Sequence, residues 1–246
     1  MKPFIMVSTR PEIEAAEQEY ESFLLQGGLE RDQLQHVRLE EVDFLGSFQA
    51  GDVSGVLIGG SPYDLSTAEA SKTRTQVRVE EQVRELLAVA LREGVPVLAT
   101  GFGLEVLAGY LGTPTSRRYA EDLGATDIFL TAEGRADPLL EGMPQTFTAF
   151  VGHHEGAAAV PEHATLLASS ADCPVHMIRV GRNVYGTQFN PELDVERFLQ
   201  RVSIYADAGY GDPGLIDDVL TEARASVDEH QAGRVIRRFV EYFAQD

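Results

Sequence analysis

Two short apolar runs, each closed by a glycine turn, constrain this chain more than any other feature. Residues 54–58 end at Gly59-Gly60, and residues 95–100 end at Gly101-Phe102-Gly103. Short runs that are apolar without alternation belong to strands buried on both faces, as in a parallel sheet. Helical stretches stand between and after them. Residues 71–93 carry a stripe of Val79, Val83, Leu86, Leu87 and Ala90 and stop at Gly94, and a further helix is expected over about 104–110. Upstream, 3–8 reads as a strand, 11–26 as a helix closed by Gly27-Gly28, and 36–39 as a strand. This alternation predicts an α/β fold with a doubly wound, mainly parallel sheet. Such sheets place ligands at the carboxyl ends of their strands, where both glycine turns stand.

From Ala125 the pattern becomes strand-rich, with candidates at 127–131, 146–151, 164–168, 175–180 and 184–188. Their spacing predicts antiparallel strands added to the sheet or beside it. After Asn190 three helical stripes follow: Val195, Phe198, Leu199 and Val202; then Leu215, Ile216, Val219, Leu220 and Ala223; then Val235, Ile236, Phe239, Val240 and Phe243. Core packing accounts for such stripes more simply than partner binding. The expected organisation is one domain over 1–194 and a helical extension, 195–246, packed on it.

Several classes of function are excluded. No apolar run approaches the ~18 residues of a membrane span. The N-terminal apolar stretch is too short for a signal-peptide core and meets Arg10 at once. The one cysteine, Cys173, allows neither an internal disulfide nor a cysteine-rich zinc site. A cytoplasmic protein is expected. With 39 acidic and 20 basic residues the net charge is −19. No basic patch extends beyond Arg117-Arg118 and Arg237-Arg238, so nucleic acid is not an expected partner. The negative charge reads as solubility.

Four segments stand out: VLIGGSP at 56–62, PVLATGFGLE at 96–105, GHHE at 152–155 and VYGTQFNPE at 184–192. Gly59-Gly60 is at least a tight turn whose amides could cradle an anion. Gly101-x-Gly103 resembles the start of a dinucleotide fingerprint, but position 106 is Val106 where the third glycine would stand. His153, His154 and Glu155 are consecutive, and neighbouring side chains in a strand point to opposite faces. No metal and no cofactor are therefore expected.

Taken together and in order, the four segments resemble the class I glutamine amidotransferases, and among them the glutaminase domain of GMP synthase and its stand-alone relatives. The resemblance spans about residues 40–192. It implies a flavodoxin-like sheet with added strands. Gly59-Gly60-x-Pro62 resembles the family's oxyanion loop. Residues 96–108 resemble its nucleophile elbow, P-(V/I/L)-L-G-(I/V)-C-x-G-x-Q. His154 falls where the family often has a histidine. Residues 184–192 resemble Y-G-x-Q-F-H-P-E, the most specific match.

The family triad is Cys-His-Glu, in which cysteine attacks the glutamine amide, histidine moves protons and glutamate orients the histidine. At the corresponding positions this chain has Gly101, Asn190 and Glu192, and Glu105 replaces the glutamine that follows the elbow. Glycine has no nucleophile, and asparagine is no acid or base near neutral pH. The resemblance thus implies a pocket of Gly59, Gly60, Phe102, Gly103, Glu105 and His154 without canonical glutaminase activity. Its oxyanion donors would be the amides of Gly60 and Phe102. The expected ligand is a small glutamine-like molecule, and a separate synthetase-type chain is the expected protein partner. The alternative is an active amidotransferase or amide hydrolase that uses Glu192 or Glu105 as base, or Cys173 or Thr100 as nucleophile.

Overall fold

Residues 1–205 and 231–246, with 218, 221, 223 and 225, are described by a computed structural model. Its sheet begins with β1 (Phe4–Ser8), flanked in parallel by β2 (Leu34–Arg38) and β3 (Gly55–Ile58). β4 (Val97–Thr100) lies parallel beside β3. Next come β5 (Thr115–Ser116), β6 (Glu121–Leu130), β7 (Thr146–His153), β8 (Gly156–Ala157), β9 (Ala164–Ser169), β10 (Met177–Val180) and β11 (Val184–Thr187). β11 returns to pair in parallel with β4. β10, β9, β6 and β7 then extend the sheet antiparallel, giving the order β2-β1-β3-β4-β11-β10-β9-β6-β7. β5 and β8 form a separate two-stranded ribbon. The chain is thus an α/β protein with a flavodoxin-like core of parallel strands.

The helices cover both faces because the buried strands are apolar on both. Alternation along β1 sends Phe4 and Met6 to one face and Ile5 and Val7 to the other. Phe4, Met6, Leu57, Leu98 and Tyr185 pack with Phe23 of α1 (Ile13–Gly27) and Phe239 of the C-terminal helix (Arg234–Phe243). Ile5, Val7, Val56, Ile58 and Val97 pack with Val79, Val83 and Leu87 of α2 (Arg74–Glu93) and Leu104 and Leu107 of α3 (Phe102–Tyr110).

Helix ends follow their caps. Gly28 and Gly94 take left-handed φ of 63° and 75° behind α1 and α2. α2 starts later than the expected residue 71, because the Thr73 side chain accepts from the Gln76 amide and sets the first turn. β6 starts earlier than expected, at Glu121. Its first residues alternate half-exposed polar and small side chains across a bulge between Glu121 and Gly124, which hides the strand from an apolar-run reading. The stripe of Leu215, Ile216, Val219 and Leu220 lies outside the described residues. Ala223 is described and packs with Phe198 and Val202 of α5 (Val195–Ile204), the helix that follows the short α4 (Ala132–Ala136). No helix of the described residues is long and apolar enough to cross a membrane.

Candidate functional site

β4 ends at Thr100, Gly101 makes the turn, and α3 begins with the next residue. Gly101 has φ +51° and ψ −112°, and its amide donates to Thr187 O at 2.7 Å. That backbone is strained for any L side chain by about 1–3 kcal/mol. Space is not the obstacle, since a Cβ on Gly101 would meet only Gly60 Cα, at 3.8 Å. Phe102 opens α3, where first-turn amides have no intrahelical acceptor and can face an anion. Gly103 serves packing: a Cβ there would press on Ala99 at 3.0 Å and Ile58 at 3.2 Å. Thr100 turns its hydroxyl into the sheet, donating to Ile58 O at 3.1 Å.

Gly60, Gly101, Phe102, Glu105, His154 and Asn190 line one cleft, whose cavity volume is about 50 Å³. Gly59, Gly103 and Glu192 are outside its lining. Gly59 is required to be small because its Cβ would stand 2.2 Å from Glu19 Oε2. Glu105, buried, accepts from Gln188 Nε2 at 2.9 Å, and burial holds its carboxyl well above the usual range. His154 Nδ1 stands 3.0 Å from Asp64, which also accepts from Arg117 at 2.8 Å. Glu155 serves the fold instead. Its carboxylate accepts from the amides of Leu65 at 2.7 Å and Ser66 at 3.2 Å, fixing the loop that follows the double glycine.

Two buried arginines that line the cleft stand against two buried glutamates, and of these four residues the sequence had singled out only Glu192. Arg10, just past β1, donates from Nε to Glu19 of α1 at 2.9 Å and from Nη1 to Tyr205 at 3.3 Å. Its remaining nitrogen, Nη2, sits beside Gly60. Arg201 of α5 donates from Nε and Nη2 to Gln18 at 2.9 and 2.7 Å. Arg201 Nη1 lies 3.6 Å from Glu192 Oε1 and 3.9 Å from Glu19 Oε1. Arg10, Arg201 and Tyr205 all line the cleft. Neither oxygen of Glu192 has a hydrogen-bond partner among the described residues, and burial, opposed by Arg201, pushes its carboxyl up to about 7.

This cluster corrects one expectation. The Gly60 amide, expected as an oxyanion donor, is already committed to Glu19 Oε1 at 3.1 Å. A buried carboxylate takes any amide within reach, because an unpaired buried charge is costly. The Phe102 amide, the other expected donor, belongs to the open first turn of α3. The position of Arg10 at a strand's carboxyl end was a usable signal in the sequence. Nothing in the residues around Arg201 marked it.

A second cluster was also missed. Glu121, His153, Cys173 and His176 each offer one donor atom, all within 4.8 Å of one another. His153 and His154 do diverge, as their adjacency requires. The partners of His153 come from β6 and from the segment before β10, separated from it by many residues, and no local spacing announces them.

Comparison with known proteins places this geometry. The model of the glutamine amidotransferase class-I family matches residues 16–202. The GMP synthase (glutamine-hydrolyzing) of Leifsonia xyli subsp. xyli is 31% identical over 195 residues, 74% of this chain and 35% of that protein. One of the separate subunits of a GMP synthase (glutamine-hydrolyzing), from Methanocaldococcus jannaschii, is 26% identical over 143 residues, 58% of this chain and 66% of that one. A glutamine amidotransferase from Thermotoga maritima of known structure superposes with a TM-score of 0.74 at 17% identity, covering 100% of both chains. The chain spans only about a third of the length of full GMP synthases such as those matched at 35% and 34% of their length.

Proposed function

Because this chain belongs to the class I glutamine amidotransferase family, we propose that it is a member in which binding of a small carboxylate-bearing ligand has replaced glutamine hydrolysis. On this reading Gly101, Asn190 and Glu192 occupy the family's Cys, His and Glu positions. The elbow then has no nucleophile, and Asn190 stands where the family's histidine base would. The observation that carries the proposal is the commitment of Glu19 and Glu192. Glu19 Oε1 takes the Gly60 amide, and Glu192 faces Arg201 instead of an imidazole. Arg10 Nη2 beside Gly60 and the first-turn amides of α3 remain to receive an anion. A glutamine-like ligand would place its α-carboxylate there and its side chain toward Glu105 and His154.

Calorimetric titration of glutamine and glutarate tests this. The native protein is expected to bind at least one of them, and Arg10→Met to bind it about ten- to a hundredfold more weakly, the worth of one charge-assisted hydrogen bond. Equal affinities in the two proteins, or no binding by the native one, would refute the ligand reading.

A second reading rests on Glu105, which lines the cleft and whose carboxyl burial raises well above the ordinary carboxylate range. It makes the protein an amide hydrolase whose turnover disappears in Glu105→Gln. A separate synthetase-type chain is the proposed protein partner under either reading, because one relative is itself named as a subunit of GMP synthase.

A further inference from the structure

We infer that Glu121, His153, Cys173 and His176 form a closed four-ligand site for a divalent transition metal of the zinc class. Glu121 and His153 are directly opposite each other across β6 and β7. Cys173 and His176 come from the segment leading into β10. Glu121 Oε2 lies 2.9 Å from His153 Nε2 and 2.7 Å from His176 Nε2.

Proton placement makes this arrangement unusual. His153 Nδ1 is 2.9 Å from the carbonyl oxygen of Glu155, which can only accept, so Nδ1 carries the ring proton. In the neutral ring, Nε2 then turns a lone pair toward a carboxylate oxygen. His176 is fully buried, and neither of its ring nitrogens has a partner in hydrogen-bonding geometry, although Nε2 points into the cluster. Nε2 of both imidazoles and an oxygen of the Glu121 carboxylate therefore converge beside the Cys173 sulfur, which is also fully buried. A bound cation satisfies all four at once.

The surroundings have the form that metal ligands need. The Glu155 carbonyl fixes the His153 tautomer, and Ser170 Oγ donates to Glu121 Oε1 at 3.1 Å, leaving Oε2 for the cluster. The Cys173 amide donates to the same Ser170 oxygen at 2.9 Å. Such outer partners orient ligands and raise their basicity. Tetrahedral zinc, with bonds of about 2.0–2.3 Å, needs donors roughly 3.3–3.7 Å apart. The observed separations, from 2.7 Å up to 4.8 Å, bracket that range, so side-chain shifts of under about an ångström complete the tetrahedron. Two nitrogens, one sulfur and one carboxylate oxygen suit zinc and disfavour calcium or magnesium.

All four ligands come from the protein, so the site is structural, tying the paired strands β6 and β7 to the segment before β10. Binding forms four coordinate bonds and releases the Cys173 thiol proton to solvent. Of the four ligands only His153 lines the cleft, and since neither Arg10 nor Gly101 takes part, this inference does not depend on the ligand reading.

The test is titration of the chelator-treated full chain with Co²⁺, followed by Zn²⁺. One equivalent of Co²⁺ is expected to produce intense tetrahedral d–d bands in the visible and a thiolate charge-transfer band in the near ultraviolet, both bleached by one equivalent of Zn²⁺. Cys173→Ser should lose the charge-transfer band, and Ser170→Ala should keep it while binding about tenfold more weakly. A native spectrum without the charge-transfer band overturns the proposal, whether or not any variant folds. So does Co²⁺ binding that is indifferent to Cys173→Ser.

Discussion

A Gly101→Cys/Asn190→His variant is expected to release glutamate from glutamine at no more than about a hundredth to a thousandth of the rate of an active class I glutaminase assayed alongside it. The substitutions supply the nucleophile and base that the native residues lack, and a Cβ at Gly101 has room. Placed at the N-terminus of α3, the new thiol should have a depressed pKa and react rapidly with iodoacetamide. That alkylation reports whether the elbow formed. The Gly60 amide, however, stays with Glu19 Oε1, and loss of one oxyanion donor costs about 10²–10³ in rate. Glu192 would also have to leave Arg201 before it could orient the new imidazole. The native protein, without either residue, is expected to be lower by about a millionfold. A variant matching the reference enzyme would mean that Glu19 does not block the donor and that only the two substitutions separate this chain from hydrolysis.

Glu192 should also leave a pH signature on stability. Its folded carboxyl is raised by burial to about 7 from an ordinary 4.5. Between those values the folded state holds a proton that the unfolded state has lost, so stability falls as pH rises through this window. At pH below the ordinary value the contribution is level. Above about 7 the full cost of a buried carboxylate is present, roughly 3 kcal/mol at most for this shift. Glu192→Gln removes the titration. Its urea-unfolding free energy, compared with the native protein, is expected to gain steadily from pH 4.5 to about pH 7. Parallel profiles for the two proteins would mean that Arg201 keeps Glu192 ionised throughout.

The central parallel strands β3 and β4 were legible because they are uniformly apolar and end at glycines. Residues 54–58 and 95–100 announced β3 and β4 and located the elbow. The first half of β6 was hidden, because Glu121 and Gly124 pair on either side of a bulge, where no apolar alternation is needed. The cleft was legible to the extent that motifs are local. Gly60, Gly101, Phe102, Glu105, His154 and Asn190 do meet there. The residues that charge it were not. Arg10, Glu19 and Arg201 come from the end of β1, from α1 and from α5, and only helix packing brings them together. Glu121, His153, Cys173 and His176 are likewise assembled by strand pairing and by the segment before β10. Their separation in the chain carries no metal-ligand spacing.

The measurement that bears most directly on the account follows amide-labelled glutamine in the presence of the native protein by nitrogen NMR, reading free ammonium and the ligand's exchange with protein in one sample. Exchange-broadened glutamine signals and no ammonium beyond the protein-free blank are expected. Ammonium accumulating over many turnovers, and lost in Glu105→Gln or Cys173→Ser, would contradict it and make this cleft a hydrolytic site with a different catalytic group.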